Sequence, residues 1–335
     1  MKNGFKVIDL EHHYATPRMF EYIAKFLPGS CIDGATYGMP TSSHEKDSPV
    51  FALGDARLEI LEEANIDFAQ ISLTAPGSEF FPEKEGKEIA VESNDILARE
   101  ITLNPDRIGA WMSLVPEDPE WSIKEIDRAK GMGLYGWMGV SNINGKYLDD
   151  PQYWTILEKI EAEGMPIYIH PNFSPIQSIR EFGFCLSGPS LGFTVDVSIC
   201  LMRMIYRGIF DRFPKLKIVL GHDGEAFPFL KNRIDTAYRQ KRDTPNVKLC
   251  SGRPQHCPSY YLENNVWITT SGNYLPEALR CCVDVMPKGR VIMSTDFPHE
   301  NIGEMVSFIA DSDFLSCEQK QALLYENARA LGFGK

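Results

Sequence analysis

VIDLEHH (residues 7–13) is an apolar, β-branched run that stops in Glu11, His12 and His13. Three segments far along the chain stop the same way: PIYIHP (166–171) at His170, KIVLGH (217–222) at His222, and VIMSTDF (291–297) at Asp296. Each reads as a buried strand followed at once by an imidazole or a carboxylate. Parallel strands closed into a barrel deliver such side chains to one rim. Nitrogen and oxygen donors gathered that way suit zinc, manganese or iron(II). The pattern points to a metal-dependent enzyme.

The rest of the chain supplies the barrel. The first strand reads as FKVIDLEHH (5–13), and FAQISL (68–73), IGAWMSL (108–114), YGWMGV (135–140) and VWITTSG (266–272) complete a set of eight. Helical periodicity fills 55–65, 87–103, 120–132, 151–163, 196–212 and 275–284, with a closing helix over 317–331. Eight such units predict an α/β fold, a (β/α)8 TIM barrel over 1–335 as one domain. No GxGxxG follows any strand, which argues against a doubly wound dinucleotide fold.

The 335 residues exceed the roughly 250 of a plain barrel. The excess lies in two insertions, near 14–50 and 172–193. Both follow ligand-bearing strands, so both are expected to wall one end of the barrel as a pocket or lid. The second carries Phe182, Phe184 and Phe193, suited to an aromatic ring or to packing within the loop.

A net charge of −12 disfavours nucleic acid and anionic membrane surfaces as partners. No apolar run approaches the roughly 20 residues of a membrane span. Eight cysteines lie scattered without CxxC spacing, and no leader is evident at the amino terminus. Reduced thiols in a cytoplasmic protein are the expectation.

Glu11 and His13, two residues apart on a strand, leave the same face, and His12 faces away. His222 has Glu225 three residues on, at the expected start of the next helix. A carboxylate there fixes the tautomer of an imidazole that serves as ligand or proton carrier. Asp296 suits either metal binding or proton transfer. Arg57 and Arg233 offer the paired donors that grip a carboxylate, although a helix salt bridge with Asp235 serves Arg233 equally well. His12, His44, His256 and His299 read as hydrogen-bonded core residues.

The ordered set DLEHH, RLEILEEANIDFAQISLTAPG, NGKYLDDPQYW, PIYIHP, GIFDRFPKLKIVLGHDGE, WITTSGN and STDFPHEN resembles the metal-dependent amidohydrolase superfamily. The similarity is to the branch of aminocarboxymuconate semialdehyde and hydroxybenzoate decarboxylases, γ-resorcylate decarboxylase among them, and runs from about residue 5 to 332. It implies metal ligands at Glu11, His13, His170 and Asp296, and the catalytic group Asp296, His222 and Glu225. Arg57, Arg233 and Phe193 are the substrate-binding candidates. One Mn2+ or Zn2+ ion and a homodimer or homotetramer are implied as well. Glu at the first ligand position is typical of the aromatic-acid decarboxylases, and no lysine ends YGWMGV, so a single ion is expected. Leu191-Gly192 stands where the γ-resorcylate enzymes tend to carry a tryptophan, and Phe297 also replaces one.

The resemblance implies reversible, nonoxidative decarboxylation of an ortho-hydroxybenzoate, a small aromatic carboxylate, with Asp296 as proton donor. A metal-dependent hydrolase or hydratase with Asp296 as general base is the alternative.

Overall fold

Eight parallel strands run through the molecule: β1 Ile8–Tyr14, β2 Phe68–Leu73, β3 Ile108–Ala110, β4 Trp137–Val140, β5 Pro166–His170, β6 Lys217–Leu220, β7 Val266–Thr269 and β8 Val291–Ile292. The computed structural model describes residues 4–26, 48–242 and 254–334. Strands β1 to β3 pair in order, as do β4 to β8. Single parallel bridges close both seams, Met112 with Trp137 and His12 with Phe297. At the second seam His13 N donates to Phe297 O at 2.7 Å and Phe297 N to Glu11 O at 3.2 Å. The eight strands therefore make one ring, the (β/α)8 fold that the alternation predicts.

Strand residues are buried on both faces, as a sheet wrapped in helices requires. Ile8, Leu10, Trp111, Met138, Tyr168, Val219 and Ile292 fill the inside of the ring. Phe333 closes its lower end against Trp111, ring centroids 5.0 Å apart. The larger apolar cluster lies between strands and helices, where Leu61, Ile89, Ile126, Ile160 and Val197 meet the outer strand faces.

One irregularity decides where the ligands point. Ile8 and Leu10 face inward, so strict alternation would send Glu11 and His13 outward. The β1–β2 register shifts between Asp9 and His12. Such a shift reverses the faces of the residues beyond it, and Glu11 and His13 turn into the barrel mouth.

Several strands end earlier than the sequence suggests. Ladder pairing stops at Ala110, Thr269 and Ile292, because the residues beyond turn to build the rim, and Asp296 has a φ of 61°. The first insertion contains a helix, Pro17–Phe26, where the spacing predicts loop; His44, expected in the core, lies outside the described residues. Helix Phe227–Lys241 follows Glu225 as expected, whereas helices Pro258–Asn265 and Ile302–Ala310 stand where the spacing predicts none. The six described cysteines are free thiols. No described helix is long and apolar enough to cross a membrane.

Candidate active site

At the carboxyl-terminal rim, Glu11 and His13 of β1, His170 at the end of β5 and Asp296 beyond β8 present donor atoms all within 4.8 Å of one another. His13 Nε2 lies 3.1 Å from Asp296 Oδ1 and 3.9 Å from Glu11 Oε1. Both Glu11 oxygens, His13 Nε2 and Asp296 Oδ1 are buried without a properly directed hydrogen bond. Buried polar atoms in that state are costly, and a divalent cation would satisfy all of them. Two imidazoles and two carboxylates suit manganese or zinc.

The outward nitrogens of both rings are already engaged. His13 Nδ1 pairs with Ser72 Oγ at 2.9 Å, and His170 Nδ1 donates to Pro171 O at 2.8 Å. Nε2 of each ring is left for a metal. Burial, aided by His13, pushes His170 down to about 3, which keeps it neutral. Burial, then Asp296, raises Glu11. Burial also works against charge on Asp296, but the imidazoles of His13 and His222 beside it outweigh that and hold the carboxyl well below its usual range.

His222 and Glu225 stand on an unusual piece of backbone. The sequence suggests the start of a right-handed helix, but His222, Asp223, Gly224, Glu225 and Ala226 all have φ between 52° and 70°. This left-handed turn costs about 1–2 kcal/mol for each non-glycine residue, strain of the kind that gathers at functional sites. It brings His222 Nδ1 to 3.1 Å from Glu225 Oε1 and His222 Nε2 to 3.7 Å from Asp296 Oδ2. Burial opposes charge on His222, yet Asp296 and Glu225 prevail and hold its pKa well above the ordinary histidine value. Gly221, just before the turn, lets it pass close to the ligands: a Cβ there would lie 2.9 Å from Tyr168 Oη and 3.5 Å from Glu11 Oε1.

Arg57 requires a correction. It is 0% exposed and does not line the cavity. Its guanidinium donates to Ala52 O, to His13 O at 2.9 Å and to His12 Nδ1 at 3.1 Å, and stacks on Phe297. His12 also packs flat against Phe297 and reaches Asp9 Oδ2 through Nε2 at 2.9 Å. Asp9 in turn accepts from Glu11 N and Thr295 N. Arg57 thus braces the seam that carries three of the ligands. Arg233 is exposed on helix Phe227–Lys241 and is also absent from the cavity lining.

A cavity of about 430 Å³ opens over the rim and includes His170, His222 and Asp296 in its wall. Phe184, Phe193, Pro171 and Pro189 form an apolar side; Thr194, Asn273, His299 and Glu300 form a polar one. Phe193 packs against Phe173 and Phe184 at 5.7 and 6.3 Å between centroids. Phe182, at 71% exposure, points away. His299, expected in the core, instead lines the cavity beside His13, their rings 5.8 Å apart. Asn273, after β7, was likewise not singled out from the sequence.

Comparison with known proteins fixes the family: the amidohydrolase model matches residues 8–331. The chain belongs to the amidohydrolase family. Among the members it resembles is the γ-resorcylate decarboxylase of Rhodococcus jostii, 31% identical over 88% of this chain and 89% of that one. The manganese-bound 5-carboxyvanillate decarboxylase of Novosphingobium aromaticivorans, complexed with 4-hydroxy-3-methoxy-5-nitrobenzoic acid, is 29% identical with a TM-score of 0.89, covering 98% of this chain and 96% of that one. A dihydroxybenzoic acid decarboxylase of Polaromonas with manganese and the inhibitor 2-nitroresorcinol is 28% identical with a TM-score of 0.82, again over 98% and 96%. This amidohydrolase thus shares its whole barrel with enzymes that remove carboxylates from hydroxylated rings.

Proposed function

We propose that this amidohydrolase decarboxylates an ortho-hydroxybenzoate, reversibly and without an oxidant, at one divalent ion held by Glu11, His13, His170 and Asp296. The observation that carries this reading is the convergence of those four buried donors beside the His222–Glu225 pair. The manganese in two structural relatives favours Mn2+ over Zn2+. When bound, the cation would supply positive charge to stabilise the substrate anion.

The chain's own groups supply the proton. Glu225 holds His222 in its charged form, and His222 Nε2 faces Asp296 Oδ2. His222 thus stands where it can store the proton, and Asp296 where it can relay it. Asp296 delivers it to the ring carbon that bears the carboxylate. The C–C bond then breaks, its electrons restore the aromatic ring, and carbon dioxide leaves. Phe193 packs on the ring from the apolar side. With Arg57 engaged behind the ligands, the substrate anion relies on the cation. A cytoplasmic homodimer or homotetramer is the setting we propose, and light scattering would read the assembly.

The test is incubation of the manganese-loaded protein with a panel of hydroxybenzoates, following acid loss and phenol formation by chromatography. Stoichiometric phenol from an ortho-hydroxy acid is expected. Uptake of water without carbon dioxide release would replace this reading with the hydratase or hydrolase one.

A further inference from the structure

His299 stands between the cation site and the cavity, and the steps above give it no task; a role for it rests on the decarboxylase reading. The turn after Asp296 puts it there. Asp296 O accepts from His299 N at 2.8 Å and from Glu300 N at 3.2 Å, so the backbone behind the proton-relaying carboxylate also fixes where the imidazole begins. The ring lines the cavity 5.8 Å from that of His13, tilted by 51°. Among the described residues no side chain hydrogen-bonds to its nitrogens.

Asp296 divides the polar wall into two flanks. On one, His222 Nε2 faces Oδ2. Gly272 opens a gap on that flank, where a Cβ would lie 3.1 Å from His222 Cδ2 and 4.0 Å from Glu300 Oε1. On the other, His13 Nε2 faces Oδ1 at 3.1 Å, and His299 lies beside His13. The second flank belongs to the cation donors, because Glu11 Oε1 lies 3.9 Å from His13 Nε2.

A hydroxybenzoate must bring the carbon that bears its carboxylate up to Asp296, which leaves the ortho oxygen, one ring atom away, on one flank or the other. An electron-rich oxygen is favoured near the cation donors and disfavoured near the Glu300 carboxylate. The charge of His222 does not reverse this, since Glu225 and Asp296 already face it. We infer that His299 is the residue that hydrogen-bonds the ortho oxygen of the substrate and so fixes the ring against Asp296. A histidine ring offers a donor and an acceptor, so it can meet that oxygen as a hydroxyl or as a phenolate. A partner in the ring plane leaves the out-of-plane lone pair free to move into the ring as Asp296 protonates the carbon. His299 gains and loses no proton in this role.

The experiment uses two unreactive analogues in which a nitro group replaces the reacting carboxylate, 2-nitrophenol and nitrobenzene, which differ only in the ortho hydroxyl. His299→Phe keeps a flat ring beside His13 and removes both nitrogens, whereas His299→Gln restores a donor and an acceptor. Calorimetry would give both Kd values for the manganese-loaded wild type and the two variants, with manganese content measured in each. The preference for 2-nitrophenol over nitrobenzene should fall about tenfold in His299→Phe, the worth of one hydrogen bond, and recover in part in His299→Gln. The kcat/KM for a hydroxybenzoate that the wild type turns over should fall by about tenfold or more in His299→Phe. An undiminished preference in that variant, or loss of its manganese, would overturn the inference while phenol formation by the wild type upheld the decarboxylase. Phenol from no hydroxybenzoate would overturn both.

Discussion

Two buried acids on one barrel live in opposite surroundings. Asp196, on helix Gly192–Arg207, has both oxygens supplied with donors: Tyr147 Oη at 2.9 Å on one, Asn142 Nδ2 at 2.6 Å and Ser141 Oγ on the other. Ser141 Oγ also accepts from Asn172 N, and Asn142 Nδ2 reaches Phe173 O. One carboxylate therefore ties the loop after β4, the loop after β5 and the helix that carries Phe193. Glu11 is just as buried, yet neither of its oxygens has a well-directed donor. A buried acid with donors holds elements together; a group of buried acids and imidazoles without them is built to receive a cation.

That contrast can be broken by substitution. The largest effect belongs to Asp296→Asn, which should lower turnover about 10³-fold, within the range of lost acid–base groups, with circular dichroism unchanged. Activity within tenfold of wild type would remove Asp296 from the proton path. Glu225→Gln should cost about 10–100-fold in turnover, as removal of a carboxylate supporting a site imidazole commonly does. Manganese content at the wild-type level would assign that loss to His222 rather than to the ligands.

Asp196→Asn sharpens the comparison from the other side. The amide would confront Asn142 and leave buried donors unpaired, so urea unfolding should show a loss of about 1–3 kcal/mol. Glu11→Gln should instead abolish tight manganese binding while the metal-free protein keeps its stability. If both variants lost stability alike, the two acids would not differ in kind.

Stability should also vary with pH. Burial raises Glu79 from 4.5 to about 8, so the folded state holds its proton more tightly than the unfolded chain does. The stability this contributes is complete below about 4.5 and is lost as the pH rises towards 8, by about 1.4 kcal/mol per unit across that window. Glu79→Gln, a neutral mimic, should remove this slope. Denaturant titrations of both proteins at pH 5 and 7 would test it, and parallel pH dependence would refute it.

Much of this was legible in the residues because apolar runs and their terminal ligands are local signals. Glu11, His13, His170 and Asp296 each follow a strand, and eight alternations imply the ring that brings them together. What escaped depends on tertiary context. The register shift in β1 has no composition of its own. The left-handed turn at 222–226 contains one glycine in five residues, and HDGE reads as an ordinary helix start. Arg57 resembles a substrate clamp until its partners His12, His13 and Phe297 are seen closing around it. His299 looked like a core residue because the backbone turn after Asp296, which swings it into the cavity, leaves no mark in the spacing.

The most direct test of the whole account is to run the reaction in D2O with manganese-loaded protein and a turned-over ortho-hydroxybenzoate. Mass spectrometry and NMR of the phenol would locate the incorporated label. One deuterium at the carbon that lost the carboxylate, with one equivalent of carbon dioxide, is the predicted result. Solvent atoms entering as oxygen, with the carboxylate still on the ring, would contradict it.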